Sequence, residues 1–94
     1  MVVGVCTVEL DLPGVRSLKE KRGILKPLLH KVRREFNVSA AEVDGNDLWK
    51  SAVLGISCVS SSREYAHGLL GEVVKRIETG RLDARIVDYH IEMF

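Results

Sequence analysis

Three observations predict a two-layer α+β sandwich for these 94 residues. Alternating apolar residues mark strands near both ends and in the middle, and two longer segments carry helical periodicity. The segments fall in the order strand–helix–strand–strand–helix–strand. The length fits one domain, residues 1–94, with one core. A content of 46% hydrophobic and 29% charged residues excludes disorder.

Met1 to Leu12 reads as the first strand, with Val2, Cys6, Val8, Leu10 and Leu12 on one face and Thr7, Glu9 and Asp11 on the other. Pro13-Gly14 turns the chain. Ser17 is an N-cap, and Glu20 three residues on completes a capping box. Leu18, Leu25, Leu29, Val32 and Phe36 recur at helical spacing, which predicts a helix from Ser17 to Phe36. Pro27 lies inside it, where a proline ring collides with the carbonyl four residues back and costs about 3 kcal/mol. That residue is Gly23, whose backbone tilts away readily, so the helix is expected to kink and continue. Asn37 is the expected C-terminal cap.

Val38 to Val43 and Ser51 to Val59 are predicted as paired strands around the turn formers Asp44-Gly45-Asn46-Asp47. Ser60-Ser61-Ser62 ends the second, and Ser61 with Glu64 suggests another capping box. The following helix is expected to reach Glu78, burying Ala66, Leu69, Leu70, Val73 and Ile77. Gly68 and Gly71 fall on its outer side, and Gly80 closes it. Ala84 to Phe94 alternates Val87, Tyr89, Ile91 and Met93 against Asp88, His90 and Glu92, a final half-buried strand. Two right-handed strand–helix–strand units of this kind merge into a ferredoxin-like βαββαβ sandwich. Its four-stranded antiparallel sheet carries both helices on one face.

Net charge is +1, but the sign is segregated. Arg16 to Phe36 holds eight Lys and Arg against Glu20 and Glu35, and the remainder of the chain is net acidic. Stepping about 100° per residue gathers Arg22, Arg33, Lys26, Lys19, His30 and Arg34 beside the apolar stripe. No apolar run approaches a membrane span and no signal segment is evident, so a cytoplasmic protein without a membrane partner is expected. Cys6 and Cys58 match no zinc spacing and read as reduced core thiols.

The segment Ser17-Leu18-Lys19-Glu20-Lys21-Arg22, together with Glu42-Val43-Asp44 and Asp47-Leu48-Trp49, resembles the bacterial YlxP-like family of small proteins, a family of unknown function. The resemblance covers most of the chain, from the first strand through the second helix. It implies a ferredoxin-like fold. It also implies an association with translation, because genes of this family commonly sit among those for initiation and ribosome-maturation factors. It supplies no catalytic or binding residues.

The basic flank is the leading candidate site, for cations on one helix side can neutralise successive phosphates of RNA. Lys19, Arg22, Lys26, His30, Arg33 and Arg34 are the residues expected to contact ribosomal RNA or a ribosome-bound partner. The bland alternative is a solvated face whose long side chains cover apolar rims. The open sheet face, expected to show Val3, Val5, Thr7, Glu9, Asp88, His90 and Glu92, is too acidic and too poor in aromatics to stack RNA bases. Val3 and Val5 with Ile86 offer instead a seat for a second copy, a homodimer. Asp44, Asp47 and Trp49 mark a candidate protein-interaction loop, although Trp49 is expected chiefly to anchor that loop onto the core.

No catalytic residue, metal ligand set or cofactor site is expected. His30, His67 and His90 lie on three different elements, with no spacing that pairs one with a nucleophile. Asp44-Gly45-Asn46 echoes a calcium loop, but Gly55 stands where the bidentate Glu belongs. An acylphosphatase-like enzyme is the minor alternative. Arg16 is in about the right place, but the longer glycine-containing phosphate loop is missing and no Asn occupies the Ser51 to Val59 strand.

Overall fold

The chain runs β1 (Val2–Asp11), α1 (Leu18–Glu35), β2 (Ser39–Asp44), β3 (Ser51–Ser60), α2 (Arg63–Gly80) and β4 (Arg85–Met93), the predicted order. This computed structural model describes residues 1–80 and 83–94. The strands form one sheet in the order β2-β3-β1-β4, antiparallel throughout. β1 and β3, the two most apolar strands, take the centre. β2 and β4, which carry more charge, form the edges.

Alternation along β1 and β3 sends Cys6, Val8 and Leu10, with Ala52, Leu54, Ile56 and Cys58, to one side of the sheet. There they meet Leu25, Leu28, Leu29 and Val32 of α1 and Ala66, Leu70, Val73, Val74 and Ile77 of α2. Each fully buried aliphatic side chain of this kind contributes about 1.5–3 kcal/mol relative to exposure. α2 lies over β1, β3 and β4, while α1 lies over β2 and against α2. Gly4 permits the close seat of α2: a Cβ there would stand 2.9 Å from Leu70 Cδ1.

α1 continues through Pro27 without a break. Its capping differs from expectation at the far end. Phe36, in extended conformation, donates its N–H to the Val32 carbonyl, and among the described residues no non-glycine takes the left-handed conformation expected of Asn37. At α2 the N-cap is Ser62 rather than Ser61: its Oγ accepts the Tyr65 N–H at 3.2 Å, and the helix begins at Arg63. α2 also extends two residues past Glu78 to Gly80.

Two register shifts bend the edges, one between Glu42 and Asp44 on β2 and one between Glu9 and Leu10 where β1 meets β4. The first swings Val43 across the open face onto Gly55, where a Cβ would meet Val43 Cγ1 at 2.8 Å. The second places Val87 as an extra, exposed residue and turns Ile86 opposite Leu10, packed against the core. Ile86 therefore does not join Val3 and Val5 on the open face, because the bulge reverses the alternation that placed it there.

Candidate functional site

α1 is held at its start by Ser17, whose Oγ accepts the Glu20 N–H at 3.1 Å. The Glu20 carboxylate reaches back to the Arg16 N–H at 2.9 Å, closing the predicted box one residue early. Two contacts then fix how the helix is rotated. Glu35 pairs with Arg76 of α2 at 2.6 Å, and Arg33 on the opposite flank donates two hydrogen bonds, at 3.0 and 2.9 Å, to the Ala40 carbonyl of β2. The basic flank consequently runs along the β2 side of the molecule, away from α2.

On that flank Lys19, Arg22, Lys26, His30 and Arg34 are exposed, and none has an ion pair among the described residues. Lys19 to Arg34 spans about 22 Å at 1.5 Å rise per residue. Arg33 is exposed as well, but its guanidinium helps hold α1 to the edge strand. Lys31 belongs to the other side, where with Pro27, Leu28, Arg76 and Gly80 it lines a small groove between the helices.

One cation of the helix lies inside the protein, and the periodicity was already pointing at it. Lys21 precedes Leu25 by four residues and Leu28 by seven, which puts it in the middle of the buried sector. It is 1% exposed. Its ammonium donates to the Gly45 carbonyl at 2.9 Å and the Ser51 carbonyl at 3.1 Å, and Glu42 Oε2 stands 2.8 Å away. That oxygen is off the line a hydrogen bond needs, so charge rather than alignment holds it. Lys21 thus ties both ends of the β2–β3 loop, and the end of β2, to the first turns of α1.

The loop itself turns at Gly45, whose φ of 67° favours glycine. Asp44 Oδ1 accepts the Gly45 N–H, and the Leu48 N–H bonds the Gly45 carbonyl. The Lys50 carbonyl accepts the Leu12 N–H at 2.8 Å. Trp49 is 52% exposed and Leu48 beside it 53%. The expectation that Trp49 anchors the loop onto the core is corrected. The loop is fastened by main-chain carbonyls to Lys21 and Leu12, which frees its side chains to face water. Asp47 is exposed with them. Because Lys21 fastens it, the loop sits at the end of α1 where Lys19 and Arg22 begin the basic flank.

The open sheet face carries the residues expected of it: Val5 stands opposite Glu92, Thr7 opposite His90 and Glu9 opposite Asp88. His90 Nε2 lies 3.3 Å from Asp88 Oδ2. Phe94 bonds Val3 through both main-chain groups at the end of the sheet, and no aromatic occupies mid-strand on this face among the described residues.

Cys6 and Cys58 are free and buried, and burial pushes the Cys6 thiol up to about 11, far from nucleophilic use near neutrality. Between β1 and α1 the Val15 and Arg16 N–H groups are already bonded to the Leu12 carbonyl and the Glu20 carboxylate, so they are not available to cradle a phosphate. Among the described residues no group of three or more His, Cys, Asp or Glu is arranged to hold a metal ion. No described helix is long and apolar enough to cross a membrane.

Comparison with known proteins agrees with this architecture. A solution structure of a de novo designed protein with a ferredoxin fold superposes with a TM-score of 0.61 at 16% identity, over 100% of this chain and 84% of the design. That likeness concerns the fold alone. The uncharacterized protein YlxP of Bacillus subtilis (strain 168) is 37% identical over 78 residues, covering 83% of this chain and 85% of the relative. A family profile described as "Protein of unknown function (DUF503)" matches residues 3–91. The two motifs at the start of α1 and around the β2–β3 loop thus pointed to the family to which this chain belongs, DUF503.

Proposed function

We propose that this chain is a non-catalytic, cytoplasmic accessory factor of translation that docks on ribosomal RNA through the basic flank of α1. The observation that carries the reading is the row of Lys19, Arg22, Lys26 and Arg34, exposed and without ion-pair partners among the described residues. Cations left unpaired on one flank keep their field for an external anion, and a helix side is long enough to follow several phosphates. Arginine supplies bidentate phosphate contacts and lysine a diffuse attraction. The exposed Trp49, fastened near the start of the flank, adds a surface on which an unpaired base can stack. The acidic β1–β4 side of the open face steers the opposite way, turning α1 toward RNA. The association with translation that the family resemblance implies directs the reading to ribosomal RNA.

The test is co-sedimentation with ribosomes and separated subunits over a salt series. Four phosphate contacts predict an affinity loss of about 50-fold between 50 and 200 mM salt. Reversing Lys19, Arg22 and Lys26 to Glu is expected to abolish association with little change in thermal unfolding, because none of the three packs in the core. Arg33 is left in place since it fastens α1 to β2. Retained association by the folded triple variant sinks the docking mechanism. A protein-contact reading rests on the exposed Leu48–Trp49 pair. Association lost on Trp49→Ala but kept in the triple variant would move the site to the loop and make the partner a ribosome-bound protein.

A further inference from the structure

The far edge of the sheet carries a sequence that is complementary to itself. β4 ends the strand order, so among the described residues one side of its backbone has no neighbouring strand. Phe94 and Val3 exchange both main-chain hydrogen bonds, and the pairing continues without a shift from there to Asp88 and Glu9. In an antiparallel ladder the inward-bonding residues alternate. Phe94, Glu92, His90 and Asp88 therefore bond toward β1, while Met93, Ile91 and Tyr89 direct their N–H and C=O groups away from the sheet. The Tyr89 N–H confirms this polarity, for it is taken by the Asp88 side chain, Oδ1 accepting at 2.9 Å, and not by β1.

Val87-Asp88-Tyr89-His90-Ile91 runs apolar, acidic, aromatic, basic, apolar, and in reverse the basic residue falls where the acidic one stood, so an antiparallel copy is complementary to it. We infer that two copies of this chain associate through β4, antiparallel about a two-fold axis at Tyr89, in a continuous sheet of eight strands. In that register the two Tyr89 residues exchange main-chain hydrogen bonds. Asp88 of each copy then lies opposite His90 of the other, at the position where opposed side chains approach most closely. The existing Asp88–His90 contact within each copy closes with its mate into a ring of two carboxylates and two imidazoles. On the other side of the sheet, the helix side that Tyr89 shares with Ile91, Tyr89, 46% exposed, gains an aromatic partner.

Complementarity of carboxylate and imidazole selects a second copy as the occupant. Asp88 stands beside Glu9 and has its own His90 at 3.3 Å, and only a strand with the Asp–x–His order adds a second imidazole opposite it. The neighbouring surface also admits a close partner. Gly68 of α2 shares a groove with Met93 of β4, and apart from the helix's own backbone and adjacent residues no described heavy atom lies within 4 Å of the place a Cβ would take at Gly68 or Gly71. In the free chain the Asp88 carboxylate covers the Tyr89 N–H, which blunts the edge until a mate displaces it.

Sedimentation equilibrium of wild type, His90→Asp, the swap Asp88→His/His90→Asp, and Trp49→Ala tests this assignment. Asp88 and His90 are exposed, so all these variants should fold as wild type does, checked by thermal unfolding. Wild type is expected to dimerise reversibly. His90→Asp places carboxylate against carboxylate twice and should weaken the dimer about tenfold or more. The swap restores the two Asp–His pairs and should recover the affinity to within about threefold. Trp49→Ala should leave it unchanged. A chain that stays monomeric at millimolar concentration overturns the inference. So does a dimer indifferent to His90→Asp, or one that the swap fails to restore.

Discussion

Lys21 shows how one side chain can organise a surface it does not belong to. Removing its charge strands the Gly45 and Ser51 carbonyls and the Glu42 carboxylate in a partly buried site, each a group that needs a partner. Lys21→Met is therefore expected to destabilise the protein by about 3 kcal/mol, measured by urea unfolding. Adding Glu42→Gln should recover part of that loss, because an uncharged amide tolerates the site better than an orphaned carboxylate. Trp49 is the chain's only tryptophan, so its fluorescence reports on the loop directly. In Lys21→Met that signal should change at denaturant concentrations below the global transition, as the loop loosens first. A single transition at the wild-type midpoint would show that the clamp contributes nothing.

Among the elements, the two helix starts separate what spacing can and cannot decide. Ser17 and Glu20 were legible because one serine stands before a clear apolar stripe. At α2 three serines precede the stripe, and the capping-box rule selected Ser61 where backbone geometry uses Ser62. Ser62→Ala should cost about 1 kcal/mol by removing the bond to the Tyr65 N–H. Ser61→Ala should stay within a few tenths. Equal effects in denaturant titrations would contradict the assignment. β4 gives the same lesson for strands. Asp88, His90 and Glu92 were placed on the open face by alternation alone, yet Ile86 was misplaced, because a bulge inserts one residue and reverses the pattern beyond it.

At the scale of the whole molecule, strand order separates the two proposed surfaces. α1 lies over β2 at one edge, and β4 forms the other. Paired through β4, two copies would carry their basic flanks at opposite ends of an eight-stranded sheet, with neither flank covered. The two surfaces should therefore act independently. The triple reversal of Lys19, Arg22 and Lys26 is expected to leave the dimer constant unchanged. His90→Asp is expected to leave the salt slope of ribosome association unchanged, while removing the gain that two linked flanks confer on a ribosome offering two sites. Coupled losses, seen by sedimentation of each variant in both assays, would place both activities on one surface.

The amino-acid order alone determined the element sequence, the basic flank of α1 and the acidic open face, because each follows from a local period or a local cap. The family was legible too, from two short motifs. Only the tertiary structure decided which charges remain free. Lys21 and Arg33 read as cations like their neighbours until folding brings the Gly45, Ser51 and Ala40 carbonyls to them. Trp49 read as a core anchor until main-chain bonds proved sufficient to hold its loop. Such partners lie up to thirty residues away along the chain. No periodicity carries information across that distance, so packing alone selects which side chains are occupied and which are offered to a partner.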